Sequence, residues 1–160
     1  MRIKFLRPLI IIFLCLAICS CGRKSNKINF NDYPTDYKIA YFEDMGVTNA
    51  PSVNDLFGRN ASYADEFMGV SAYIIIDSYT CDNNVFTVVI LLRVKETEYD
   101  IMRCDLTIQA DTTTRKSYVR YVKVESLLSD QYLESQSDGS KEQDIETFEL
   151  FVRYMNMIWK

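Results

Sequence analysis

Histidine is absent from all 160 residues. Its absence removes His-based nucleophile triads and imidazole metal sites, and leaves carboxylates, Lys, Tyr and Cys as the groups for proton transfer near neutrality. Positive charge is scarce as well. Eighteen Lys and Arg face 22 Asp and Glu, a net charge of −4. Arg2, Lys4 and Arg7 all lie in the first twenty residues, so from residue 21 onward 15 basic residues face 22 acidic ones, a net −7. Nucleic-acid binders carry clustered positive charge to neutralise phosphates, which argues against a nucleic-acid partner. The sequence also has no phosphate loop, no Cys-x-x-Cys pair and no internal repeat. Its apolar run Leu9–Ile18 has ten residues, short of the roughly 20 that a helix needs to cross a hydrocarbon core of about 30 Å.

That run lies between the basic Met1–Arg7 segment and the residues Ile18-Cys19-Ser20-Cys21-Gly22, the three-part layout of an export signal. Ile at −3 and Ser at −1 before Cys21 resemble the lipobox of bacterial lipoproteins. In that class a diacylglycerol is attached to the Cys sulfur, and cleavage leaves this Cys as the acylated N-terminus. The resemblance implies Cys21 as the lipidation site. Cys19, the competing residue, would place Ile18 at the cleavage position, where a small side chain is required. The resemblance also implies a lipid-anchored protein of the cell envelope. Gly22-Arg23-Lys24-Ser25 contains no acidic sorting residue, so in a Gram-negative cell the implied location is the periplasmic face of the outer membrane.

Three regions make up the chain: the signal at 1–20, the lipidated Cys and a polar, flexible tether at 21–36, and one domain at 37–160. Fifteen tether residues span at most about 50 Å and average nearer 20 Å. Within the domain, Tyr37–Phe42 reads as a short strand. Val53, Leu56, Phe57, Ala61, Ala64, Phe67 and Met68 recur at helical spacing. With Pro51 in the first turn and Gly69 just past the end, they predict a helix over 51–68. Period two then takes over. Val70–Tyr79 reads as a strand, and residues 85–94 are apolar on both faces, as a central strand is. Met102, Cys104, Leu106, Ile108 and Ala110 alternate with polar residues in a half-buried strand, and Ser117–Glu125 forms a fourth. A turn of helix is weakly indicated at Ser126–Leu133. Ser140 and Gln143 fit a capping box, after which Ile145, Phe148, Phe151, Val152, Met155, Ile158 and Trp159 line one helical face. The expected class is α+β: a curved antiparallel meander of four to five strands, with an N-terminal and a C-terminal helix packed on one face. This order loosely resembles cystatin-like and NTF2-like architectures, without any shared motif.

Candidate chemistry is thin. After Cys15, Cys19 and Cys21, Cys81 and Cys104 remain. An exported chain invites a disulfide between them. The expected register, however, places Cys104 opposite Ile90 and Cys81 about 17 Å further along, beyond the roughly 7 Å that a bridge tolerates. A free, buried Cys104 fits better, with Cys81 either an exposed thiol or an intermolecular contact. Tyr99, Tyr118 and Tyr121 could suggest a stacking platform, but Tyr is also a good strand former. Asp100 has the opposite parity from Asp105 and Asp111, so the three form no acid/base pair. Asp82-Asn83-Asn84 reads as a turn rather than a calcium loop. Asn60-Ala61-Ser62, a glycosylation sequon by pattern, falls in the expected helix.

No catalytic residue, cofactor, metal or small-molecule ligand is therefore expected. Membrane attachment through Cys21 and a protein partner are. These features point to a non-enzymatic binding module of the inhibitor or toxin-immunity type. The alternative is a structural subunit of an envelope secretion or assembly complex.

Overall fold

A computed structural model describes residues 33–57, 64–67 and 69–158. The signal and Cys21 lie outside the described residues, as do the sequon at 60–62 and Trp159. Within them the elements are β1 (Lys38–Ile39), α1 (Val53–Phe57), β2 (Ala64–Phe67), β3 (Val70–Asp82), β4 (Val85–Val94), β5 (Asp100–Asp111), β6 (Lys116–Ser126), β7 (Tyr132–Gln136) and α2 (Lys141–Ile158). The protein is α+β. Among the described residues seven strands join one curled sheet, in the order β1-β6-β5-β4-β3-β2, with β7 pairing β6 beside β1. Strands β2 to β7 pair antiparallel in succession. The two-residue β1 runs parallel to β6 and makes the sheet mixed.

The curl has local causes. Three one-residue bulges interrupt the ladders, at Asp77 in β3, Ile101 in β5 and Arg120 in β6. Each adds an unpaired residue, which bends its strand and sharpens the twist. Each also reverses the parity of the residues beyond it. Because of the bulge at Arg120, Val119 and Val122 are both buried in the core although they are three residues apart.

One face of the sheet carries Phe86, Val88, Ile90, Cys104, Leu106 and Ile108, all fully buried. This is the alternation expected for β4 and β5, with Cys104 paired to Ile90 and Ile90 to Ile76. Both helices pack on that face. Phe57 of α1 lies 5.9 Å from the Phe86 ring, and Phe151 and Tyr154 of α2 are buried in the same core. Phe148 meets Phe42 edge-on at 4.9 Å, so the loop after β1 closes over the helix. Burial of apolar surface stabilises this core at about 25 cal/mol per Å².

The expected helix over 51–68 is present only as α1. Residues 58–63 lie outside the described residues, and Ala64–Phe67 is instead a strand paired with Val70–Tyr73. Four residues are too few for period to separate helix from strand, and Gly58, a weak helix former, sits just past α1. Gly69 has φ of +81°, but it serves the hairpin between β2 and β3. The left-handed region is shared by helix ends and tight turns, so the glycine could not tell them apart. The long helix therefore follows the sheet. The helical turn suggested at Ser126–Leu133 is also replaced, by a turn and the start of β7.

Each helix start is capped. Ser52 Oγ accepts from the Asp55 amide at 3.1 Å, and Asp55 accepts from the Ser52 amide at 2.8 Å, a reciprocal box. The corresponding box on α2 is only half made. The Gln143 amide donates to Ser140 Oγ at 3.4 Å, but the Gln143 side chain accepts from the Asp138 amide and not from Ser140. The Ser140 amide donates instead to Asp138 Oδ1. The hydrogen bonds from Ser52, with Lys38 adding a smaller effect, hold the Asp55 carboxyl below its ordinary value. A depressed carboxylate contributes stability above its unfolded pKa and loses it as pH falls through the folded value. Thermal melts between pH 7 and pH 3 should therefore fall more steeply for the native chain than for Asp55→Asn. Parallel slopes would contradict the capping role.

Candidate functional site

The other sheet face carries no described helix. Its central residues are Ile75, Val89 and Leu91, and around them lie polar and charged cross-strand neighbours. Leu91 stands opposite Arg103, Val89 opposite Asp105, and Thr87 opposite Thr107 with hydroxyls 3.4 Å apart. Charges pair along and across strands. Arg93 grips Asp100 with two hydrogen bonds of 2.6 and 3.1 Å, which raises the Arg93 pKa. Arg103 meets Asp105 at 3.0 Å and Lys123 meets Glu125 at 3.3 Å. Tyr73 donates to Glu98 at 2.7 Å, and that bond raises its pKa. The result is an amphipathic surface with an apolar middle and a mostly neutralised rim.

Toward β7 this face opens into a cleft of about 590 Å³, lined by Thr107, Gln109, Arg120, Tyr121, Gln136 and the 137–139 loop. Its cation is already occupied. The bulge aims Arg120 at Asp144 on α2, to which it makes a short ion pair, and at Gln109 Oε1 at 3.0 Å. Asp144 is only 4% exposed and also accepts from Ser137 and from Tyr41 at 3.2 Å. Tyr41 itself has φ of +72°, a region bulky side chains rarely occupy. Its ring lies 6.0 Å from Tyr118 and 5.9 Å from Phe148. Arg120 stacks 5.0 Å above Tyr118. The cluster fastens α2, the loop after β1 and β6 to one another. Nothing in the hydrophobic pattern marks it, because Asp144, Thr147 and Tyr154 are buried on a helix whose expected face was purely apolar.

The residues weighed from sequence do not converge. Tyr99 is 72% exposed in the β4–β5 turn, Tyr121 lines the cleft, and Tyr118 packs under Arg120 and beside Tyr41. Asp100 and Asp105 are taken by arginines, and Asp111 caps the Thr113 and Thr114 amides. Asn83 in the β3–β4 turn has φ of +50° and donates to Asp82. Among the described residues no group of His, Cys, Asp or Glu is arranged to hold a metal ion, and no helix is long and apolar enough to cross a membrane. The perturbed groups move away from neutrality. Burial pushes Tyr33, Tyr41 and Tyr121 up to about 12, and hydrogen bonds lower Asp55, Asp111 and Asp138.

Cys81 and Cys104 are not bridged. Cys81 pairs Phe86 while Cys104 pairs Ile90, about 14 Å apart along β4. Burial pushes the Cys104 thiol up to about 12, with Asp105 adding to the rise. Since the thiolate is the nucleophile, iodoacetamide at pH 8 should modify Cys81, which is half-buried, long before Cys104. Labelling of Cys104 in the native chain at the rate of a free thiol would contradict this packing.

No protein-family model, curated protein or solved structure matches the chain.

Proposed function

We propose that this is a lipid-anchored envelope protein that binds another protein and performs no chemistry itself. Cys21 carries the acyl chains and a tether leads from it to one domain, whose core takes in Tyr33, buried 5.4 Å from the Phe86 ring and donating to the Ile108 carbonyl, so the folded unit starts before the expected boundary at 37. In a Gram-negative cell its place is the periplasmic face of the outer membrane. The observation that carries the reading is the sheet face that no described helix covers, with its exposed β7 edge beside the Arg120–Asp144 cluster. Fold alone assigns no function. The acidic net charge favours a basic partner.

The test is chemical crosslinking in the native envelope with the full chain and with Cys21→Ser, followed by mass spectrometry. Recovery of one exported toxin or hydrolase, whose activity the purified chain then suppresses, is the expected result. Recovery of several envelope components at constant ratio would make the protein a subunit of their assembly instead. Hydrolysis of peptides, glycans or lipids by the chain itself would contradict both.

A further inference from the structure

We infer that the outer edge of β7 is the docking strand, and that it accepts an extended partner segment in which apolar and basic residues alternate. The inference rests on the binding function proposed above and locates it.

The backbone sets the geometry. The Ser126 amide donates to the Gln131 carbonyl and the Ser137 amide to the Arg120 carbonyl, both at 2.9 Å. These bonds fix the alternation. Leu133 and Ser135 turn their backbone groups toward β6, so Tyr132, Glu134 and Gln136 turn theirs outward. Strand β7 pairs only with β6, which leaves the amides and carbonyls of those three residues without a strand partner among the described residues. Such a row is a template for an added strand.

The side chains select the occupant. Tyr132 is 59% exposed and Leu133 55%, one on each face, so an incoming strand meets apolar surface at that end on both sides. The central residue is Glu134. Its cross-strand neighbour Lys123 is engaged by Glu125 and lies over the Tyr132 ring, and Glu134 is exposed with no ion-pair partner among the described residues. Asp130, exposed in the preceding turn, adds to the negative potential. Natural edges are protected by shortness, prolines, bulges, charges or a covering element; the five-residue Tyr132–Gln136 has one charge, Glu134, and no proline.

A second copy is a poor occupant. Two β7 strands paired antiparallel about their centres would set Glu134 opposite Glu134, and directly opposed like charges are destabilising. Lys or Arg at that point of a different chain converts the repulsion into an ion pair. An anionic membrane is disfavoured by the same charge.

The test uses the full chain, isotope-labelled in detergent micelles, with two capped hexapeptides: alternating Val-Lys and alternating Val-Glu. The Val-Lys peptide should shift the amides of Tyr132, Glu134 and Gln136 and slow their hydrogen exchange, and should bind at least tenfold more tightly than Val-Glu. Glu134→Lys should reverse that order. Glu134→Pro removes an outward amide without touching a bond to β6 and should weaken Val-Lys binding at least tenfold. If the proline variant loses its fold, the Lys variant alone decides. Shifts confined to Thr87 and Thr107 on the open face, equal binding of both peptides, or binding of neither would overturn the assignment. Failure of the wider reading looks different. A crosslinked partner retained by Glu134→Lys would sink the edge and leave the binding function standing, whereas peptide binding at β7 with no partner in the envelope would do the reverse.

Discussion

Replacing Cys21 by Ser is expected to abolish incorporation of labelled palmitate completely and to leave the chain at its unprocessed length. The reason is chemical: on the proposed lipidation the Cys21 thiol is the acyl acceptor, and in the lipobox class cleavage depends on the acylated residue. Each buried methylene contributes about 0.8 kcal/mol to membrane attachment, and stable anchoring takes more than one chain. Loss of acylation should therefore empty the outer-membrane fraction of a Gram-negative host. Cys19→Ser is the informative control. It should keep label and processing, since Ser20 and Cys21 remain in place. Loss of label in the Cys19 variant, with retention in the Cys21 variant, would move the anchor by two residues.

Asp144→Ala should destabilise the domain by about 3 kcal/mol, which is a large share of the roughly 5–15 kcal/mol typical of a domain. Removing one member of a buried pair leaves the other charge uncompensated, at a cost of roughly 3–5 kcal/mol. The lower end applies, because the Arg120 side chain is 24% exposed and keeps its 3.0 Å bond to Gln109. Ser137 and Tyr41 also lose their acceptor. Urea unfolding with an unchanged slope and a reduced midpoint is the readout. Arg120→Met in the Asp144→Ala background should restore part of the loss, since no lone charge then remains. A loss below about 0.5 kcal/mol would mean that the cluster is an ordinary surface pair.

Much of the fold could be read from the chain because several strands are long and one face of the sheet is strongly apolar. Cys104, Leu106, Ile108 and Ala110 alternate without interruption, so β5 and its pairing to Ile90 are dictated by period two. The segment at 64–67 is too short for period to decide. Near it the Val53, Leu56 and Phe57 spacing fits a helix, and Gly69 fits the end of either element. The Arg120 bulge has no sequence signature. Continuous alternation would set Val119 and Val122 on opposite faces, and only the extra residue brings both into the core and turns Arg120 toward Asp144. The buried Asp144 is hidden for a related reason. A charge in the first turn of a helix is normally a solvated residue that complements the helix dipole, and only tertiary structure brings Arg120 to it. The β7 edge escapes sequence reading because Tyr132 and Leu133 fall in a polar stretch with no sustained alternation.

The proposed protein–protein contact at the β7 edge is measured most directly by site-specific photocrosslinking in living cells. A benzophenone side chain is placed at Tyr132 in one strain and at Thr113, in the distant β5–β6 turn, in another. A single protein adduct from position 132, absent from position 113 and abolished by Glu134→Lys, is the predicted result. Adducts of equal yield from both positions, or none from either, would contradict it.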